Sequence, residues 1–315
     1  MSAVLSQTSP HLFRPGRLPP WFRRPLPAGG RDIATDHALK ACSVETVCRE
    51  ARCPNRGKCF SEGAAAFLVL GTLCTRACRF CAIDHATSAQ HPLPPDPSEP
   101  VRLATAAARL GLRHVVITSV TRDDLPDGGA AHFAAILRAL HQALPTATTE
   151  VLVPDFQGSA AALQAVLDAA PTILNHNLET TRALHPAVRP QARYDRSLEL
   201  LARAAAAGFP AKSGLMLGLG ESPADLRQTL RDLRAAGVTL LTLGQYLPPS
   251  SRHYPLACYV PPEEFDAWRD EALALGFASV AAGPFVRSSY HAADLLQVPV
   301  RPIPIPAAAS NPGTP

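Results

Sequence analysis

Six of the eight cysteines in this 315-residue chain fall between Cys48 and Cys81, in two groups of three. Cys48, Cys53 and Cys59 stand in CREARCPNRGKC; Cys74, Cys78 and Cys81 stand in CTRACRFC. An even count can signal disulfides. The length, the apolar content and the lack of a secretory signal with a continuous apolar core point instead to metal or catalytic chemistry in a reducing compartment. Structural zinc usually takes four protein ligands, often as paired C-x-x-C arms, and neither group supplies them. Three thiolates on one short loop suit three corners of a cubane iron–sulfur cluster, whose fourth iron is left open. An open iron can bind something other than protein, so the second group reads as a catalytic site rather than an electron relay. Cys42 and Cys258 have no partners at useful spacing and read as small buried hydrophobes.

A loop of this kind needs a rigid frame. Ala66 to Leu70 (AFLVL) is a short apolar run ended by Gly71, which predicts a buried strand with the second cysteine group on the loop that follows it. From there strand and helix patterns alternate. Strands are expected at His114–Ser119, Glu150–Val153, Thr172–Asn175, Lys212–Leu217, Thr239–Leu243 and Ala278–Ala282. Helices are expected at Ala130–Leu144, Ala160–Ala169, Ser197–Ala207, Ala224–Ala236 and Glu263–Leu275, three of them stopped by glycine. Strand–helix alternation implies a parallel sheet with right-handed crossovers. About six units fit after Ala66, so the expected fold class is α/β, a partial (β/α)6 barrel. Polar motifs follow the strands one after another: TSVTRDDLPDGG, VPDFQG, NHNLET, GLGES and GQYLPPS. Their recurrence at strand ends suggests a rim around a substrate pocket.

Hydrophobic residues make up 47% of the chain and charged residues 18%, which leaves ample material for a core and excludes a wholly disordered chain. The net charge of +4 is too small to argue for nucleic acid, and no run of eighteen apolar residues suggests a membrane span. Residues 1–40 read as a basic, Pro-rich arm, with no acidic residue before Asp32. Six prolines from Pro10 to Pro27 would break an amphipathic targeting helix. The expected location is the cytoplasm, with an organelle as the alternative if this arm is a transit peptide. Residues 90–100 read as a surface loop and 298–315 as a disordered Pro-rich tail.

CTRACRFC carries the C-x3-C-x2-C pattern of the radical S-adenosylmethionine enzymes, with the aromatic Phe80 before its last cysteine. The resemblance goes further. The upstream group with its Cys-Pro-Asn-Arg core, ITSVTRDDLPDGGA, VLVPDFQG, NHNLET, KSGLMLGLGE, LTLGQYLPPSSRHYP and GPFVRSSYHA resemble the blocks of the lipoyl synthase family, in its order. The upstream cysteines together with RSSY discriminate, because most radical S-adenosylmethionine enzymes lack that pair.

The resemblance implies two [4Fe-4S] clusters and S-adenosyl-L-methionine. Cys74, Cys78 and Cys81 would hold the reducing cluster, whose open iron chelates S-adenosylmethionine. Reductive cleavage there would give a 5′-deoxyadenosyl radical. Cys48, Cys53 and Cys59 would hold an auxiliary cluster, with a serine of RSSY as fourth ligand. Spacing does not choose between Ser288 and Ser289, and the family pattern selects Ser289. Serine oxygen is a poorer iron ligand than thiolate, which suits a cluster used as sulfur donor. The implied reaction inserts two sulfur atoms, at C6 and C8 of an octanoyl chain on a lysine of a lipoyl domain or the glycine-cleavage H protein.

An electron donor such as ferredoxin or flavodoxin is implied, and nothing requires more than a monomer. Residues 41–65 would then be an auxiliary-cluster extension, 66–285 the partial barrel and 286–297 the RSSY segment. Thr118, Ser119, Asn175, Asn177, Glu179 and Arg193 are the expected S-adenosylmethionine contacts, and Lys212 a further partner for its carboxylate. His176, His253 and His291 read as structural, since radical hydrogen abstraction needs no general base. Two competing readings are an electron-carrier or structural metal module, and a biotin-synthase-like sulfurtransferase. The strand-end rim counts against the first, and the upstream cysteines with RSSYHA against the second.

Overall fold

The computed structural model describes residues 16–23, 30–290 and 292–297. His291, most of the N-terminal arm before Gly30 and the tail after Gln297 lie outside the described residues.

Helix α1 (Arg31–Ala41) comes first, then strand β1 (Glu45–Thr46) and the short helices α2 (Val47–Glu50) and α3 (Arg56–Ser61). Strand β2 (Ala66–Val69) opens the regular alternation: α4 (Glu99–Arg109), β3 (His114–Ser119), α5 (Ala130–Ala143), β4 (Thr148–Leu152), α6 (Ala160–Leu167) and β5 (Ile173–Asn175). It continues through α7 (His185–Val188), α8 (Tyr194–Ala206), β6 (Ala211–Leu217), α9 (Pro223–Ala235), β7 (Leu240–Gln245), α10 (Pro262–Ala274) and β8 (Ser279–Gly283).

The eight strands form one sheet in sequence order. Neighbours from β2 to β8 pair parallel, while β1 pairs antiparallel with β2. The sheet does not close, since β1 and β8 are not paired with each other. This is the expected open barrel: six β/α units, completed by β8. Strand β2 and the middle of β3 read as apolar runs because both faces are covered. Their core joins Phe67, Ile117 and Val151 to Phe133 and Ile136 of α5 and Leu163 of α6. A second core, under β6 and β7, holds Leu215, Leu241, Leu230, Phe265 and Trp268.

Two features differ from the sequence reading. Residues 31–40, read as part of the basic, Pro-rich arm, lie in α1, whose Thr35 hydroxyl donates to the Phe60 carbonyl at 2.7 Å and ties α1 to the end of α3. Helix α4, not anticipated between β2 and β3, buries Leu103, Ala104, Ala106 and Ala107. Its sequence favours helix, with four alanines, but it follows directly on the Pro-rich stretch that obscures its start, and it packs on α5.

Candidate active site

The chain leaves β2 through Leu70 and Gly71, both at positive φ, and turns into the loop that carries Cys74, Cys78 and Cys81. Protein contacts from later strand ends fix this loop. The Thr75 amide and hydroxyl both donate to the Thr121 carbonyl at 2.9 Å, and the Asp123 amide donates to the Thr75 hydroxyl at 3.0 Å. The Ala77 amide donates to Gln191 Oε1 at 2.6 Å, and the Arg79 amide to the Val188 carbonyl at 2.9 Å. The Tyr254 amide donates to the Arg79 carbonyl at 2.7 Å, and His253 Nε2 lies 3.1 Å from the Cys81 carbonyl. His253 is thus a latch on the loop. Phe80 packs against the cluster of Val188, Leu219, Tyr246 and Leu256, on which Trp21 and Phe22 of the N-terminal segment also pack.

Beneath the loop lies a buried ion cluster. Arg76 makes a bidentate pair with Asp123, at 2.6 and 2.9 Å, and reaches Asp155 at 2.6 Å. Asp155 is also met by Arg196 at 3.4 Å. Burial would raise the Asp155 carboxyl, but the Arg76 guanidinium overrides it and holds the group at about 2. Asp124, the neighbour of Asp123 in the TRDD motif, pairs elsewhere. Arg122, almost fully buried, grips Asp124 and the Leu70 carbonyl.

None of the eight cysteines is paired in a disulfide. Burial pushes Cys81 up to about 12 and raises Cys78, and neighbouring cysteines add to this, Cys78 and Cys74 for Cys81 and Cys74 for Cys78. Arg189 pulls Cys78 the other way and donates to the Asn177 carbonyl at 2.8 Å. The amides of Arg76 and Thr121 donate to Cys74 Sγ at 3.4 and 3.3 Å. Among the described residues, no three or more His, Cys, Asp or Glu side chains are gathered as ligands of a single ion. A cubane instead gives each thiol its own iron, and the metal charge supplies the deprotonation that burial resists. The amide donors to the Cys74 sulfur fit such a group.

The upstream group is built on α2, α3 and the turn between them. Cys48 is pushed up to about 11 by burial, with the Ala66 amide at its thiol; Cys59 is pushed to about 12, with Cys48 and Cys53 adding to the effect of burial. Ala66 begins β2 and Cys74 follows its end, so the two groups sit at opposite ends of this four-residue strand, roughly 13 Å of backbone. Asn55, in the Cys-Pro-Asn-Arg core, donates to the Phe285 carbonyl at 2.7 Å, and Lys58 lies over the Tyr290 ring at 5.6 Å. These contacts bring residues 285–290, with Ser288 and Ser289, against the upstream cysteines' loop.

The other candidates divide. Ser119 Oγ, Asn175 Oδ1 and Asn177 Oδ1 are buried with no hydrogen-bond partner. Glu179 is at positive φ beside Asn177, which donates to it at 3.1 Å, and burial raises its carboxyl. Thr118 directs its hydroxyl to the Leu152 carbonyl, and Arg193 is exposed at the start of α8. Lys212 does not stand open for a ligand's carboxylate: it is fully buried on Glu150, at 2.9 and 2.8 Å. Sequence reasoning missed Glu150, the hub that also accepts from Asn175 at 2.7 Å; a lone Glu inside an apolar strand was the available signal. His176 contacts the Val153 carbonyl and Ser197 Oγ and is a buried structural group. Cys42 is buried, and Cys258 packs at the margin of the second core.

Solved structures share the fold. The chain aligns with methylornithine synthase at a TM-score of 0.50 and 13% identity, covering 80% of this chain and 77% of that one. It aligns with SuiB of Streptococcus suis bound to S-adenosylmethionine at 0.54 and 12% identity, covering 72% and 53%. The family model described as the Radical SAM superfamily matches residues 68–233, from β2 to α9. An open (β/α)6 sheet with the three-cysteine loop after its first parallel strand is therefore that of a radical S-adenosylmethionine enzyme, a class that works with a [4Fe-4S] cluster and S-adenosylmethionine. Lipoyl synthase of Oleidesulfovibrio alaskensis is 52% identical over 281 residues, covering 89% of this chain and 95% of that protein. That of Trichlorobacter lovleyi is 53% identical over 280 residues, covering 88% and 98%. The chain belongs to the lipoyl synthase family, whose members are sulfur-inserting enzymes.

Proposed function

We propose that Cys74, Cys78 and Cys81 hold the reducing [4Fe-4S] cluster, and that Cys48, Cys53 and Cys59, with Ser289, hold an auxiliary [4Fe-4S] cluster that donates sulfur. The observation that carries this reading is the Asn55–Phe285 bond, which sets the RSSY segment beside the upstream cysteines although it lies far from them in sequence. When bound, the clusters and S-adenosylmethionine supply one-electron reduction, hydrogen abstraction from an unactivated alkyl carbon, and sulfur.

The chain's own residues place and dry the reaction. Ser119, Asn175 and Asn177 offer unpartnered polar atoms at the C-terminal ends of β3 and β5, and Glu179 stands with them. These are our S-adenosylmethionine contacts, together with Thr118 and Arg193 at the same rim. The space between the two cysteine groups has to keep a single alkyl chain in line and water out. The substrate is an octanoyl chain on a lysine of a lipoyl domain or of the glycine-cleavage H protein, sulfurated at C6 and C8. We assign the electron supply to a ferredoxin or flavodoxin, the working state to a monomer, and the location to the cytoplasm. Among the described residues no helix is long and apolar enough to cross a membrane.

The test is reconstitution with iron and sulfide, then dithionite, S-adenosylmethionine and an octanoyl-lysine peptide, read by mass spectrometry. Sulfur-bearing peptide and deoxyadenosine are expected together. Cys48→Ala should retain deoxyadenosine and lose the sulfur product, whereas Cys74→Ala should lose both. Deoxyadenosine without sulfur product from the unaltered chain would overturn the substrate assignment.

A further inference from the structure

Lys212 and Glu150 are both fully buried, on β6 and β4. An ion pair so placed is costly to desolvate, and an apolar pair of similar volume would serve the sheet as well or better. Stability alone does not account for it. The ammonium has three donors, and all three are engaged: two on the Glu150 oxygens at 2.9 and 2.8 Å, the third on the Ser288 carbonyl at 2.7 Å. Asn175 holds Glu150 from β5 at 2.7 Å, and His114 approaches it from β3 at 3.7 Å. Four strands thus converge on one charge, whose remaining bond goes to a segment outside the sheet. The same segment passes close over β7: a Cβ at Gly244 would collide with the Val286 carbonyl, so only glycine admits this path.

We infer that Lys212 is a positioning residue for the auxiliary site: its bond to the Ser288 carbonyl fixes the backbone from which Ser289 reaches the upstream cysteines. The inference rests on the reading of Ser289 as a ligand. Asn55 anchors the segment at Phe285 and Lys212 at Ser288, so residues 285–288 are tethered at both ends. The barrel charge network and the sulfur-donor site are in this way mechanically joined.

The experiment is hydrogen–deuterium exchange on the full chain, following residues 284–290, with product analysis on the reconstituted enzyme. The paired variant Lys212→Met with Glu150→Gln removes the tether without leaving a lone buried charge. Exchange in the segment should rise about tenfold, the loss expected of one charge-assisted hydrogen bond. The ratio of sulfur-bearing product to deoxyadenosine should fall by about the same factor. If the paired variant does not fold, Lys212→Arg keeps the charge on Glu150 but displaces the Ser288 carbonyl with its larger planar head, and exchange should rise there too. Wild-type exchange in whichever variant folds would overturn the tether. Ser289→Ala separates the two readings: it should keep wild-type exchange and lose sulfur product. An unchanged product ratio and unchanged cluster spectrum in Ser289→Ala would remove the ligand assignment, while the exchange data would still decide the tether.

Discussion

Asn55 and Phe285 lie 230 positions apart in the chain and 2.7 Å apart in space, amide nitrogen to carbonyl oxygen. Asn55 is 1% exposed, so water cannot take over this bond when it is lost. Replacing Asn55 by Leu leaves the Phe285 carbonyl without this donor and should destabilise the fold by about 1–2 kcal/mol. Iron content of the upstream site should fall, whereas deoxyadenosine formation should persist. Iron quantification on Cys74→Ala background protein, where only the upstream site can load, checks this.

The Arg76–Asp155 pair at 2.6 Å has 4% and 0% of its two side chains exposed. Arg76→Ala leaves the buried Asp155 carboxylate with only the longer Arg196 contact at 3.4 Å and should cost about 3 kcal/mol, read as a lower urea midpoint. The pair also fixes an acid limit. Asp155 is held at about 2, below its unfolded value near 4, so its contribution is complete above pH 4 and is lost as pH falls from 4 toward 2. In Arg76→Ala this part of the pH–stability curve should flatten.

His176 gives a second window of the opposite chemical type. Burial, then Arg189, holds its imidazole down at about 4, so the folded state keeps it neutral. The unfolded chain binds the proton from about pH 6.5 downward, and stability drains as pH falls from 6.5 to 4, by about 3 kcal/mol at the low end. His176→Gln should flatten the curve between those limits; an unchanged slope in urea titrations at pH 4, 5, 6 and 7 would count against the assignment.

Gly218 sits at a φ of +94°, where a side chain is strained, and a Cβ there would meet Gln245 Nε2 and the Cys258 carbonyl. Gln245 uses its whole amide to hold Leu217, Tyr246, Cys258 and Val260. Gly218→Ala should therefore cost about 2 kcal/mol or more, with a lower thermal midpoint. The GLGES motif is thus turn chemistry, with Glu221 capping the amides of Gly218 and Leu219.

What the sequence revealed was local. A run such as AFLVL before Gly71, or a helix stopped by Gly208, carries its own reason in neighbouring residues, and so does the cysteine spacing. The open barrel follows because the alternation is regular. What stayed hidden depends on pairing across the chain. Nothing near Asp123 or Asp124 says that one will join Arg76 and Asp155 while the other joins Arg122. Lys212 looked available because its partner Glu150 lies 62 residues earlier. Helix α1 was hidden by the prolines before it, though its own residues, Arg31 to Ala41, contain none.

Strand β1 is only two residues long, runs against the rest of the sheet and leads at once into α2. A parallel sheet that ended at β2 would present a bare row of amides and carbonyls, a template on which another molecule's strand could add. Two antiparallel residues cover that row and are too few to offer a new one. The open barrel is thereby guarded on this side against edge-to-edge aggregation, at the same place where the chain builds its first cysteine group.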